Sequence, residues 1–304
     1  MSGILLFFID GIGVGSDDPE RNPLATGDFP ALLLTETRTP LGADQARGLD
    51  ASLGVPGLPQ SATGQTSILT GINAPAVMGH HMSGFPGPTL RKVLFEHSLL
   101  KRIREQGKSA TFLNAFRPEY FEAPHAQRRL SATSLATLAS GARFRSWEDL
   151  VEGRAVAHDL THWRMRERGY ELPMRTPEEA GAIIAEEAGK NDFSLFEYFE
   201  TDRAGHARDR DRAMSCLADL NTALETVLAR ADLTRLTVLV VSDHGNLEDL
   251  TVGTHTLNPA IFAAWGPAAK GKAAAGSPRR LTDIASFTLR ALGIPGADPA
   301  TSTV

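Results

Sequence analysis

The segment Asp202-Arg203-Ala204-Gly205-His206 sets a carboxylate and an imidazole four positions apart. On one helical face or in one turn, that spacing lets both side chains converge on a single ion. Asp243-His244 sets the same two ligand types side by side, so that they can point to different ions. His255 follows in Thr254-His255-Thr256, and Asp10 adds a carboxylate near the amino terminus. A mixture of Asp and His without Cys suits zinc, manganese or a similar first-row divalent ion. Either pair alone is a common surface accident. The weight lies in the combination, because Asp10, Asp202 and Asp243 each follow an apolar run that reads as a strand.

Such a centre needs a nucleophile or an activated water. Gly57-Leu58-Pro59-Gln60-Ser61-Ala62-Thr63-Gly64-Gln65-Thr66-Ser67-Ile68-Leu69-Thr70-Gly71 is built of small residues up to Gln65, then takes the apolar spacing of a helix. This reading places Thr66 near a helix N-terminus, where backbone N–H groups can receive a phosphate oxygen. A threonine hydroxyl is a poor nucleophile at neutral pH. A divalent ion could lower its pKa, and a second ion about 4 Å away could hold the leaving-group oxygen. Taken in isolation, Thr66 before a helix is an ordinary N-cap.

The elements that must position these groups alternate between strand and helix. Ile4 to Ile9, Phe193 to Phe199 and Leu236 to Val241 are continuous apolar runs, the pattern of strands buried on both faces of a parallel sheet. Ligands in such sheets gather at the carboxyl ends of strands. Helical periodicity covers Leu90 to Gln106, with Gly107 as C-cap, and a strand follows at Ser109 to Asn114. Thr176-Pro177-Glu178-Glu179 is a helix start, with Thr as N-cap, Pro first and Glu third, leading a helix to about Ala188. Asp209 to Arg230 is a long amphipathic helix, and Pro278 to Leu292 is helical. Residues 15–57 read as loop with short elements. Residues 117–176 carry helical segments near 131–140 and 158–168, and form either a small cap or an elaboration of a single 1–304 domain.

The 304 residues are 42% hydrophobic and 22% charged, enough for a buried core. A net charge of -5 without a basic run disfavours nucleic acid as a partner. Met1 to Asp10 is too short to span a bilayer and has no basic leading segment, so no membrane association is expected and a cytoplasmic location is. The lone Cys216 cannot form an intramolecular disulfide; its helical context reads as a small buried apolar side chain.

In this order, these motifs resemble the metalloenzyme branch of the alkaline phosphatase superfamily, and most of all the core of cofactor-independent phosphoglycerate mutases. Phe8-Ile9-Asp10-Gly11 is similar to the first metal-ligand strand. Gly57-Leu58-Pro59 through Gly64-Gln65-Thr66 resembles the nucleophile loop, with Thr66 where the mutases have Ser. Asp202 to His206 resembles the family's Asp-x-x-Gly-His. Asp243-His244-Gly245-Asn246-Leu247-Glu248, followed by His255-Thr256-Leu257-Asn258-Pro259, is the most specific match. The resemblance implies a three-layer αβα fold with a doubly wound, mostly parallel sheet. It implies two divalent metal ions, Mn2+ or Zn2+, one held by Asp202, His206 and His255, the other by Asp10, Thr66, Asp243 and His244. It also implies Thr66 as nucleophile, a choice known in phosphopentomutases and nucleotide pyrophosphatases. Thr66 to Gly71, Pro75 and Gly79-His80 are similar to the latter group as well.

The mutases carry a large second domain that holds the phosphoglycerate and shields the phosphorylated enzyme from water. The stretch between Thr66 and Asp202 is too short for one. The expected activity is therefore a phosphomonoesterase or phosphodiesterase acting through a phosphothreonine on a small phosphorylated metabolite. An intramolecular mutase is the alternative. A sulfatase is disfavoured, since the stretch after Thr66 lacks a Cys/Ser-x-Pro-x-Arg motif. A catalytically silent metal-binding protein is the reading from another class, and a full ligand set argues against it. His80, His81, Arg117 and Gln65 are candidate substrate contacts. Arg128 and Arg129 could join a phosphate or carboxylate clamp, against the plainer reading of solvated surface arginines. Asn246 and Glu248 are placed to orient ligands, and Asn258-Pro259 to shape the loop that presents His255.

Overall fold

The computed structural model describes residues 3–117, 119–122, 129–270 and 277–295. β1 (Gly3–Ile9) lies at the centre of a six-stranded sheet, paired in parallel with β4 (Phe193–Tyr198) on one side and β5 (Leu236–Ser242) on the other. β3 (Ala110–Phe112) extends the parallel part beyond β4, while β6 (Ala260–Trp265) runs antiparallel to β5 and pairs with the edge strand β2 (Gln45–Leu49). The order across the sheet is β2-β6-β5-β1-β4-β3.

The apolar run of β1 is explained by two cores. Successive side chains of a strand point to opposite faces. Ile4, Leu6 and Phe8 enter one cluster with residues of α1 (Ser61–Thr70), α3 (Pro88–His97), α4 (Leu99–Glu105), α6 (Ala132–Ser140) and α12 (Asp283–Ala291). Leu5, Phe7 and Ile9 enter the other, with residues of α9 (Pro177–Gly189), α10 (Glu200–Ala207) and α11 (Arg210–Arg230). The expected three-layer αβα arrangement with a mostly parallel sheet is therefore present. α9 starts as anticipated: Thr176 caps it, and Glu179 closes a capping box, an arrangement worth about 1 kcal/mol.

Several boundaries differ from the sequence expectation. The helix expected over Leu90 to Gln106 is split at Ser98, whose hydroxyl accepts from Lys101 N and donates to Ala136 O, so its backbone leaves the helical region. β6, with the sequence AIFAAW, carries three alanines, poor strand formers, and gave no signal. β2, QARGL, is a half-buried edge strand without clean alternation. Residues 158–168 contain only the short α8 (Trp163–Glu167); α2 (Ala74–Met78), α5 (Glu119–Glu122) and α7 (Trp147–Val151) complete the set of labelled helices. Between α6 and α9, Leu150, Ala155, Ala157 and Leu172 form a small cluster of their own with Ala115. Cys216 is buried in α11. Among the described residues, no helix is long and apolar enough to cross a membrane.

Candidate metal centre and active site

β1, β4 and β5 are in register at their carboxyl ends, where Ile9 pairs with both Tyr198 and Ser242. Asp10 and Asp243 therefore leave the sheet at the same level. Asp202 follows β4 on the first turn of α10, beside them. The candidate ligands fall into two clusters: Asp202, His206 and His255; and Asp10, Asp243 and His244.

In the first cluster, Nε2 of His206 and Nε2 of His255 lie 3.4 Å and 3.5 Å from the two carboxylate oxygens of Asp202. The two Nε2 atoms are 3.1 Å apart. Each ring turns its Nδ1 to a backbone carbonyl, Gly253 O at 3.1 Å and Pro59 O at 2.7 Å. A carbonyl only accepts, so Nδ1 carries the proton in both rings and both Nε2 lone pairs face one another. Two lone pairs and a carboxylate converging on one point fit a cation. In the second cluster, His244 Nε2 is 3.3 Å from Asp10 Oδ1 and 3.6 Å from Asp243 Oδ2. Both oxygens are buried without a hydrogen-bond partner, which again fits a bound cation. The His244 and His255 rings stack at 3.7 Å, so the clusters adjoin.

Protonation follows the same electrostatics. Burial alone would depress His244, but the Asp243 and Asp10 carboxylates outweigh it and lift the ring to about 10. Burial and the neighbouring Asp10 charge push Asp243 well above the usual carboxylate range. Burial works against the ionised Asp202 too, yet the facing His255 ring, the His244 charge and the hydrogen bond from Asn246 bring it down to about 2.

A further layer fixes the ligands. Asn246 Nδ2 donates to Asp202 O at 3.0 Å and Asp202 Oδ1 at 2.6 Å. Buried Glu248 accepts from Gly13 N and Asn246 N, both at 2.7 Å, and from Asn258 Nδ2 and Thr256 Oγ1. One carboxylate thus joins the turn after β1, the turn after β5 and the loop that presents His255. Thr201 Oγ1 donates to Asp10 O at 2.6 Å. Gly64 is needed for close approach: a Cβ there would stand 2.9 Å from Asp243 O.

The expectation for Thr66 is corrected. α1 begins at Ser61, so Thr66 lies in the helix interior, fully buried, and its hydroxyl donates to Ala62 O at 2.6 Å. Ser67 and Thr70 bond back in the same way, to Thr63 O and Thr66 O. Thr66 therefore joins neither cluster. The hydroxyl at the site belongs to Ser61, the first residue of α1, whose Oγ is 3.1 Å from His244 Nε2. Ser61 and Gln65 are one helical turn apart and share a face; Thr66 is turned roughly 100° away. Pro59 and the run of small residues after it marked the true helix start.

A cavity of about 760 Å³ opens on this site, and Ser61, Asp10, Asp202 and Gln65 line it. Gln65 Nε2 donates to Asp10 Oδ2 at 3.2 Å. Arg117 and Arg129 also line it, as do Arg164, Arg168 and Arg203, which sequence reasoning passed over. Arg128 lies outside the described residues. His80 and His81 are not brought to the cavity: His80 is exposed with Nδ1 near Met78 O, and His81 Nε2 bonds Val55 O. Glu197, another missed residue, is an acid inside the apolar β4, itself a readable signal. Burial and then the Asp10 charge lift it to about 8, against a 3.0 Å hydrogen bond from Thr133 Oγ1. His158, 3.7 Å from Glu197, is held near 4 by burial and by Arg203.

Residues 173–295 match the family model described as Metalloenzyme superfamily. The 2,3-bisphosphoglycerate-independent phosphoglycerate mutase of Myxococcus xanthus (strain DK1622) is 30% identical over 116 residues, covering 36% of this chain and 22% of the mutase. That of Desulforudis audaxviator (strain MP104C) is 32% identical over 124 residues, covering 38% of this chain and 23% of the mutase. The match thus spans less than a quarter of either relative. Among solved structures, the PH0037 protein from Pyrococcus horikoshii superposes with a TM-score of 0.58 at 14% identity, covering 99% of both chains. The alkaline phosphatase of the Antarctic bacterium TAB5 superposes with a TM-score of 0.53 at 14% identity, covering 96% of this chain and 98% of that one. The chain carries the metalloenzyme superfamily match over residues 173–295, on a fold shared with the alkaline phosphatases.

Proposed function

We propose that this protein is a two-metal phosphohydrolase that acts on a small phosphorylated metabolite through a phosphoserine at Ser61. The observation that carries the reading is the position of Ser61: its hydroxyl is at the first turn of α1, 3.1 Å from His244 Nε2, on the cavity shared with both ligand clusters. Asp202, His206 and His255 would hold one ion, and Asp10, Asp243 and His244 the other. Divalent ions there would neutralise the facing carboxylates, favour the ionised form of a nearby hydroxyl and offset the charge of a phosphoryl group.

The chain's own groups then account for the rest. Gln65 and Thr201 hold Asp10, and Asn246 holds Asp202, so the two carboxylates are set before substrate arrives. The α1 N-terminus turns its partial positive charge toward a phosphoryl oxygen. The Ser61 hydroxyl gives up its proton to solvent, Oγ forms the new bond to phosphorus as the bond to the ester oxygen breaks, and the departing oxygen takes up a proton from solvent. Water then cleaves the phosphoserine, releasing phosphate and restoring the hydroxyl. Support for hydrolysis over a mutase comes from the described residues between Thr66 and Asp202, where α3, α4, α6 and α9 pack into the two cores of the sheet. Cytoplasmic location belongs to the same reading, on the free thiol of Cys216.

The test is a time course of free phosphate released from phosphorylated metabolites and p-nitrophenyl phosphate, using metal-stripped protein refilled with Mn2+, Zn2+ or Mg2+. Metal-dependent release that disappears in Ser61→Ala is the expected result. Conversion of a phosphoglycerate to its isomer without free phosphate would move the assignment to a mutase.

A further inference from the structure

Resting on that reading, we propose that the substrate carries a second anionic group, a carboxylate or another phosphate, which the arginines of α8 and α10 receive while its phosphoryl group meets Ser61. The cavity that opens on Ser61 is lined by Arg164, Arg168 and Arg203 as well as Arg117. Their local counter-charge is short. Glu200, one carboxylate, is shared by Arg164, Arg203 and Arg212. Asp159 accepts from the backbone N–H groups of His162 and Arg164 instead. Among the described residues, no carboxylate pairs with Arg168, and Arg117 reaches its neighbour Glu119 only through the Tyr170 hydroxyl.

The geometry is that of a prepared receptor. Arg203 lies over the Phe199 ring at 4.9 Å, Arg164 over Trp163 at 4.6 Å and Arg117 over Tyr170 at 5.8 Å. Stacking holds a guanidinium plane in place and leaves edge N–H groups for two oxygens of one anion. Arg203 is next in sequence to Asp202, so the receptor and the phosphoryl end are fixed by one helix. A cavity of about 760 Å³ is in the range that holds a metabolite of that size.

A matched series tests this: propyl phosphate, phosphopropionate and propanediol bisphosphate, each assayed for kcat/KM on the metal-loaded enzyme and for Kd by calorimetry on Ser61→Ala. The expected result is a preference of about tenfold or more for a two-anion compound over propyl phosphate, and the better of the two names the second group. Arg203→Gln and Arg168→Gln should each pull that ratio toward one, while Arg230→Gln, on a surface away from the cavity, should keep it. Equal kcat/KM and equal Kd across the series, or a ratio untouched in both cavity variants, overturns the proposal even if propyl phosphate is hydrolysed. Tighter Kd for two-anion compounds, lost in Arg203→Gln, upholds it even if no phosphate is released and the hydrolase reading falls.

Discussion

Replacing Gly205 by alanine isolates the contacts that hold Asp202 in place. A Cβ at this position would stand 2.5 Å from Asn246 Oδ1, 2.7 Å from its Cγ and 3.0 Å from its Nδ2. Asn246 is fully buried and must shift to make room. The shift breaks its bonds to Asp202 O and Oδ1, one of them to a charged group, a loss of about 2–4 kcal/mol. Alanine's better helix propensity offsets about 1 kcal/mol of this. Asp202 then loses its fixed rotamer, and ion affinity at the Asp202, His206 and His255 cluster should fall about 10- to 100-fold. Calorimetric titration of Mn2+ into metal-stripped protein reads this directly. Gly189→Ala, where a Cβ meets nothing within 4 Å, is the control and should bind as the parent does. If Gly205→Ala binds Mn2+ as tightly as the control, the role given to Asn246 is wrong.

Ser61→Ala should lower turnover by at least about a thousandfold with little change in melting temperature, since the side chain is only half-buried; phosphate release and calorimetry check both. Thr66→Val should do the opposite, keeping most activity while the lost bond to Ala62 O costs about 1 kcal/mol, read in urea unfolding. His244 is raised to about 10, so it keeps a proton at neutral pH that an ion must displace. Ion affinity measured at pH 6, 7 and 8 should therefore climb, by roughly tenfold per unit for each proton released, and a flat profile would contradict the assignment. Asp149 is held well below the usual range, first by Arg143, against burial, then by the Ser146 amide and Arg154. Its stabilisation is full above the unfolded carboxylate pKa and lost as pH falls through the folded one, so thermal stability should drop below about pH 4, and less steeply in Asp149→Asn.

Much of the site was legible because its residues sit at the ends of the three apolar strands. Asp10, Asp202, His206, Asp243, His244 and His255 could be grouped from type, spacing and resemblance, and the structure brings them together in the same two clusters. Thr66 was singled out ahead of Ser61 because hydroxyl residues at positions 61, 63, 66, 67 and 70 look alike in a string. What separates them is the helix phase, and that phase depends on α1 starting at Ser61 rather than after Gln65. His80 and His81 attracted notice by residue type, whereas Arg164, Arg168 and Arg203 read as ordinary surface residues until the tertiary fold gathers them at the rim of one cavity. β6 escaped because alanine carries no strand signal and only its pairing with β5 and β2 explains it.

The central position of β1 has a consequence for how the molecule comes into being. Its partners on both sides, β4 and β5, are encoded late, at residues 193–198 and 236–242. Local contacts therefore cannot complete the middle of the sheet, and loop closure over most of the chain must precede it. During synthesis the GILLFFI segment emerges before either partner and waits, an apolar strand with two open edges and a risk of self-association. Asp10 acquires its cluster companions only when Asp243 and His244 have been made, so ion binding should report on the last stage of folding rather than the first.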